Sequence, residues 1–126
     1  MVELGPMINI LNNHCRSKER ANRLIALKWV TEFIAIGGTK LLTFYSSLLG
    51  SIIFCISDSE SDIRSVANQA NAGLISLVRD TSDSFELTSI LNILTIELLS
   101  EHVSTRAEAL NWIFMLHEKV RLTVCL

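Results

Sequence analysis

One proline and five glycines in 126 residues leave too few turn formers for most β architectures. Long helices with short connections remain. Charge is scarce too. Charged residues make up 19% of the chain against 49% hydrophobic. That balance suits a segment that docks on neighbouring structure, and the chain reads as a piece of a longer scaffold. The three cysteines, Cys15, Cys55 and Cys125, are an odd number without close spacing. They argue against a disulfide framework and for buried, inert thiols in a reducing compartment. Met1 is followed by Glu3, Gly5 and Pro6, and not by a basic region and an apolar core, so no secretory leader is expected.

Recognisable chemistry is sparse as well. His14, His102 and His117 are scattered, and only the adjacent His14 and Cys15 stand close. Neighbours on a helix point about 100° apart, which makes a poor chelate, so no metal is expected. Glu97 and Glu101 stand one turn apart and read as a solvated face. Gly37-Gly38 lacks the following Gly-Lys-Ser/Thr and the preceding strand of a phosphate loop. No basic stripe interleaves with aromatics, and the net charge is −2, so nucleic acid is not an expected partner. No catalytic residue and no cofactor are expected.

Charge is nonetheless uneven. Residues 1–40 carry six bases against three acids, and the remainder five bases against ten acids. The cluster RSKER at 16–20 reads as a solvated turn, with contact to an acidic partner or an anionic lipid as the alternative. One run, 41–57, holds no charge. As a helix it would span about 25 Å, less than the roughly 30 Å hydrocarbon core of a bilayer. With Ser46, Ser47, Gly50, Ser51 and Ser57 inside it, the run reads as a buried helix of a folded domain.

What the chain does have is helical period and internal repetition. Apolar residues recur at steps of three and four, most clearly at Ile63, Val66, Ala67, Ala70, Leu74, Leu77 and Val78. Pro6 opens a first helix that runs to about Cys15. A second runs from about Arg20 to Ile36, where Gly37-Gly38 stops it. Thr39 is placed to cap a third helix that ends near Ile56. The fourth carries the clear stripe. A fifth covers about Phe85 to Leu99, and a sixth about Ser104 to Val120. RLIALKWV at 23–30 and RAEALNWI at 106–113 share arginine, alanine, leucine and tryptophan at the same offsets. A thinner version, IRSVANQA, occupies 63–70. The arginines Arg23, Arg64 and Arg106 are 41 and 42 residues apart, each with an alanine three residues on. This period and its helix-pair unit predict an all-α fold, an α-solenoid of about three helix pairs over 6–36, 39–79 and 85–121. Trp29 and Trp112 are expected to fill equivalent buried grooves.

Asp58, Ile63, Arg64 and Ala67 together resemble the HEAT-repeat signature, in which aspartate and arginine form a ladder between neighbouring repeats. Ser17 and Ser100 stand at the aspartate offset of the other two units, so only a partial ladder is implied. Over residues 7–120 the stretches MINILNNHC, ALKWVTEFIAIGGTKLLTFYSSLLGSIIFCISDSE, IRSVANQANAGLISLV and ILNILTIELLSEHVSTRAEALNWIFMLHEKV resemble the amino-terminal HEAT region of the Vac-fourteen family. That resemblance implies a non-enzymatic scaffold of the PIKfyve-type phosphatidylinositol 3-phosphate 5-kinase, supporting synthesis of phosphatidylinositol 3,5-bisphosphate. It implies a Sac-domain phosphoinositide phosphatase as an indirect partner. It also implies a cytoplasmic protein held peripherally on endosomal and vacuolar or lysosomal membranes. Exposed polar positions on the second helices and nearby turns are the candidates for protein binding: Lys28, Glu32, Asp58, Arg64, Asn68 and Asn71. For Asp58 and Arg64 the competing role is a structural ladder. The alternative functions are another HEAT-repeat adaptor in membrane traffic, or a small helical protein anchored by 41–57.

Overall fold

The computed structural model describes residues 3–124, so Cys125 lies outside them. Among these residues six α-helices follow one another: α1 (Leu4–His14), α2 (Arg20–Gly37), α3 (Tyr45–Ile56), α4 (Ser61–Asp80), α5 (Leu87–Glu97) and α6 (Val103–Val124). A 3-10 helix, Gly38–Phe44, joins α2 to α3, and no strand occurs among the described residues. Helix α1 packs on α2, α3 on α4 and α5 on α6. The second helices also pack in series, α2 on α4 and α4 on α6. The result is an all-α, solenoid-like stack.

The glycine pair divides its labour. Gly38 has φ +53°, a left-handed value that side chains disfavour, and it ends α2. Gly37 lies under Leu41, where an added Cβ would stand 2.8 Å from the leucine Cγ. Leu41 is fully buried. The helix expected to start at Thr39 is therefore split. The chain winds tightly as a 3-10 turn to bring Leu41 back over Gly37, and α-geometry resumes only at Tyr45. Thr39 makes no capping hydrogen bond there.

Helix α3 is the centre of the molecule. Tyr45, Leu48, Leu49, Ser51, Ile52, Ile53, Cys55 and Ile56 are all buried. By length and composition alone an 18-residue window within Arg20–Ile56 is apolar enough to cross a membrane, with mean hydropathy 1.5. Half of that window is buried within the fold, and the apolar side chains of α3 other than Phe54, which is half exposed, are buried against other helices. Cys15 and Cys55 are buried, and the Cys55 thiol donates to the Cys15 carbonyl at 3.3 Å. Hydrogen bonding with the Cys15 side chain and then burial push the Cys55 thiol far up, so it stays protonated.

The two tryptophans do not sit alike. Trp112 on α6 is fully buried, and its Nε1 donates to Asn71 Oδ1 on α4 at 2.7 Å. Trp29 on α2 is 55% exposed, which corrects the expectation of two equivalent grooves. The reason is positional. Trp112 points at the preceding second helix, α4. Helix α2 has no preceding second helix among the described residues, so Trp29 rests partly on Phe33, with ring centroids 6.2 Å apart. Trp112→Ala is expected to cost about 3–5 kcal/mol of stability. Trp29→Ala should cost about 1 kcal/mol or less, as half-exposed positions do. Thermal unfolding of the two variants checks the difference, and equal losses would contradict this placement.

Candidate protein-binding surface

The three second helices begin with the same turn. Ser17 Oγ accepts the Glu19 N–H at 3.1 Å, Asp58 Oδ1 the Glu60 N–H at 3.0 Å, and Ser100 Oγ the His102 N–H at 3.1 Å. A short side chain with an acceptor oxygen can close such a turn, which is why serine and aspartate interchange there. One arginine then clamps each turn from the helix that follows. Nη1 of Arg23 donates to the carbonyls of Ser17 and Lys18, each at 3.1 Å. Nη1 of Arg64 donates to those of Asp58 and Ser59, at 2.7 and 3.1 Å. Nη1 of Arg106 donates to Ser100 O at 2.7 Å. The repeating Arg-x-x-Ala of the sequence is thus a clamp and a packing position: Ala26, Ala67 and Ala109 are all buried.

One full rung links neighbouring units. Nε and Nη2 of Arg23 hold the Asp58 carboxylate at 2.8 and 3.1 Å, a two-point pairing with the Asp58 side chain 7% exposed. Burial acts to raise the Asp58 carboxyl. The Arg23 hydrogen bond, the Glu60 N–H and the charges of Arg23 and Arg64 outweigh it and hold the group below its usual range. Beside this rung Arg20 pairs with Asp62 and with Glu60. Elsewhere the first and third units are tied to the second through hydroxyls. Ser51 Oγ receives Arg16 Nη1 at 3.0 Å and donates to Asn12 Oδ1 at 2.7 Å, and Ser57 Oγ meets Thr105 Oγ1 at 2.7 Å.

The six candidate residues divide accordingly. Lys28 and Glu32 are exposed one turn apart on α2, and Asn68 is exposed on α4. Arg64 is half-buried between its clamp and the surface. Asp58 is committed to the rung. Asn71, expected on the surface, is only 4% exposed and serves Trp112. It sits one residue round the helix from the alanine stripe, on the side that faces α6, and periodicity alone does not say which side that is. Arg64 and Asn68 share a cavity of about 340 Å³ with Ile56, Ser104, Ala107 and Glu108. Sequence reasoning passed over Ser104 and Glu108, because they come from the next unit. A second cavity, about 420 Å³, lies where Leu42, Tyr45, Phe85 and Ile90 meet. The buried Tyr45 hydroxyl has no hydrogen-bond partner among the described residues, and burial followed by the charge of Asp83 pushes it up. No group of three or more His, Cys, Asp or Glu side chains gathers to hold a metal among the described residues.

The rung makes stability depend on acid. The folded Asp58 carboxyl binds its proton less readily than the unfolded one, so its contribution is complete above the ordinary carboxyl value, about 4, and fades as pH falls below it. Asp58→Asn is expected to flatten the acid side of the stability profile and to cost about 1–3 kcal/mol at neutral pH. Chemical denaturation between pH 2 and 7, roughly the interval over which carboxyls titrate, checks both.

Two relatives extend the repeat pattern to known proteins. The chain is 42% identical over 123 residues to the protein VAC14 homolog of Arabidopsis thaliana, across 98% of this chain and 17% of that protein. It is 26% identical over 118 residues to vacuole morphology and inheritance protein 14 of Saccharomyces cerevisiae, across 90% of this chain and 13% of that protein. The chain thus spans less than a fifth of the length of either relative. No family model matches it, and no solved structure does. Over nearly its whole length the chain matches these proteins, and it belongs to the Vac14 family.

Proposed function

We propose that this chain is a non-catalytic scaffold segment of the HEAT-repeat type. It helps to assemble a PIKfyve-type phosphatidylinositol 3-phosphate 5-kinase complex, and so supports synthesis of phosphatidylinositol 3,5-bisphosphate. The observation that carries the reading is the 42% identity to a VAC14 homolog along 98% of the chain. The name of the yeast relative ties that protein to vacuole morphology and inheritance. The reading places this chain on the cytoplasmic side of endosomal and vacuolar membranes, held peripherally through the complex. A Sac-domain phosphatase is then an indirect partner. A stack of helix pairs suits such work, because it presents an extended surface on which partners can be lined up. Lys28, Glu32, Arg64 and Asn68 offer polar contacts on that surface.

Co-precipitation of the chain with the kinase from the same cell tests the reading. Capture is expected with the unaltered chain. Lys28→Glu and Asn68→Glu should weaken it about tenfold if they lie in the contact, the change that about 1.4 kcal/mol produces. A folded, helical chain that captures no kinase would overturn the proposal for this segment.

A further inference from the structure

The rung between the first two units has no counterpart between the second and third. Arg64 repeats the Arg23 arrangement in its clamp: Nη1 is spent on carbonyls of its own turn. In Arg23 the other edge, Nε and Nη2, holds the Asp58 carboxylate of the next unit. In Arg64 the same edge donates to no protein atom among the described residues, and Arg64 makes no ion pair there. The residue that would complete the rung is Ser100, the equivalent of Asp58 by its place in the turn and by its contacts. A serine closes the turn but brings no carboxylate. Arg64 instead lines the 340 Å³ cavity between α4 and α6.

A guanidinium edge with no partner in a half-enclosed space is a place for a planar anion. The other walls narrow the choice. Asn68 and Ser104 offer an amide and a hydroxyl, while Ile56 and Ala107 are apolar. The volume exceeds what a single small ion fills and lies in the range of sites for larger ligands. Glu108 is the one acid on the wall, and it is turned to Asn111 Nδ2 at 3.3 and 3.5 Å. Among the described residues Arg106 also donates through Nη1 alone, but it does not line this cavity, so the inference stays with Arg64.

We infer that the Arg64 cavity binds an aspartate or glutamate side chain of a partner polypeptide, which completes from outside the rung that Ser100 leaves open. The carboxylate takes Nε and Nη2 of Arg64 as Asp58 takes those of Arg23, and Asn68 and Ser104 bond the adjoining peptide. This adds a partner chemistry to the protein-binding reading above and rests on no particular kinase. Lost kinase capture leaves the site standing, and a failed titration leaves capture through other residues possible.

The probe is a blocked peptide with the sequence of residues 57–62, SDSESD, which supplies the Asp58 carboxylate within the fold itself. Titrating it into the labelled chain should shift the Arg64 Nε–H and Asn68 side-chain resonances. The same peptide with asparagine and glutamine for its acids should leave them unmoved. Arg64→Lys keeps the charge without the two-point fork and should weaken binding about tenfold, the worth of one charge-assisted hydrogen bond. Ser100→Asp leaves Arg64 and its clamp in place. It should complete the rung internally, raise the melting temperature and abolish the peptide shifts. Glu108→Gln, which removes a like charge from the wall, should tighten binding. Binding of the uncharged peptide, an equal response to inorganic phosphate, Ser100→Asp without effect, or weaker binding by Glu108→Gln would each overturn the assignment.

Discussion

Everything in this molecule is arranged around a helix that has to be surrounded. Helix α3 is apolar on nearly every side, with eight of its residues buried. No single neighbour can cover such a helix. Contacts from α1, the 3-10 turn, α4, α5 and α6 together do so. Each fully buried aliphatic side chain there contributes roughly 1.5–3 kcal/mol relative to exposure, so the driving force for stacking is concentrated in this one element. The tight Gly37–Gly38 reversal follows from it, because the chain must turn at once to lay Leu41 and then α3 into the core.

Burial brings the units together, and polar contacts fix how they register. Apolar surfaces slide with little penalty, whereas an arginine fork on a carboxylate has one good geometry. The Arg23–Asp58 rung sets that register between the first two units, and the arginine clamps hold the turn within each unit. Trp112 adds a lock of a different kind. Its indole N–H would be left unbonded if α6 moved relative to α4, since Asn71 is its acceptor. The same logic distributes function. Groups consumed in the register, such as Asp58 and Asn71, are withdrawn from the surface. Groups left over, such as the edge of Arg64 that bonds nothing among the described residues, stay near the surface.

The local parts of this design were legible in the chain. Steps of three and four gave the helices, the glycine pair marked the end of α2, and the spacing of Arg23, Arg64 and Arg106 gave the unit. These features are legible because they depend on neighbours within a few residues, or on a period that repeats. Even so, the sequence pattern ran α3 back to Thr39. Helical period cannot tell an α-turn from a tighter 3-10 turn over one or two windings.

The sequence by itself determined the class of fold, the helix-pair unit and the chemistry of each turn, since serine or aspartate at one offset and arginine six residues on specify it locally. Only the tertiary structure decided which copies of a repeated residue are buried and which are free. Trp29 and Trp112 have the same local setting, yet one has a second helix before it and the other has none among the described residues. Arg23 and Arg64 clamp alike, yet one meets an aspartate across the unit boundary, while the next unit carries Ser100 at the equivalent place in its turn. Burial and pairing are properties of what stands opposite, and what stands opposite lies some forty residues away along the chain.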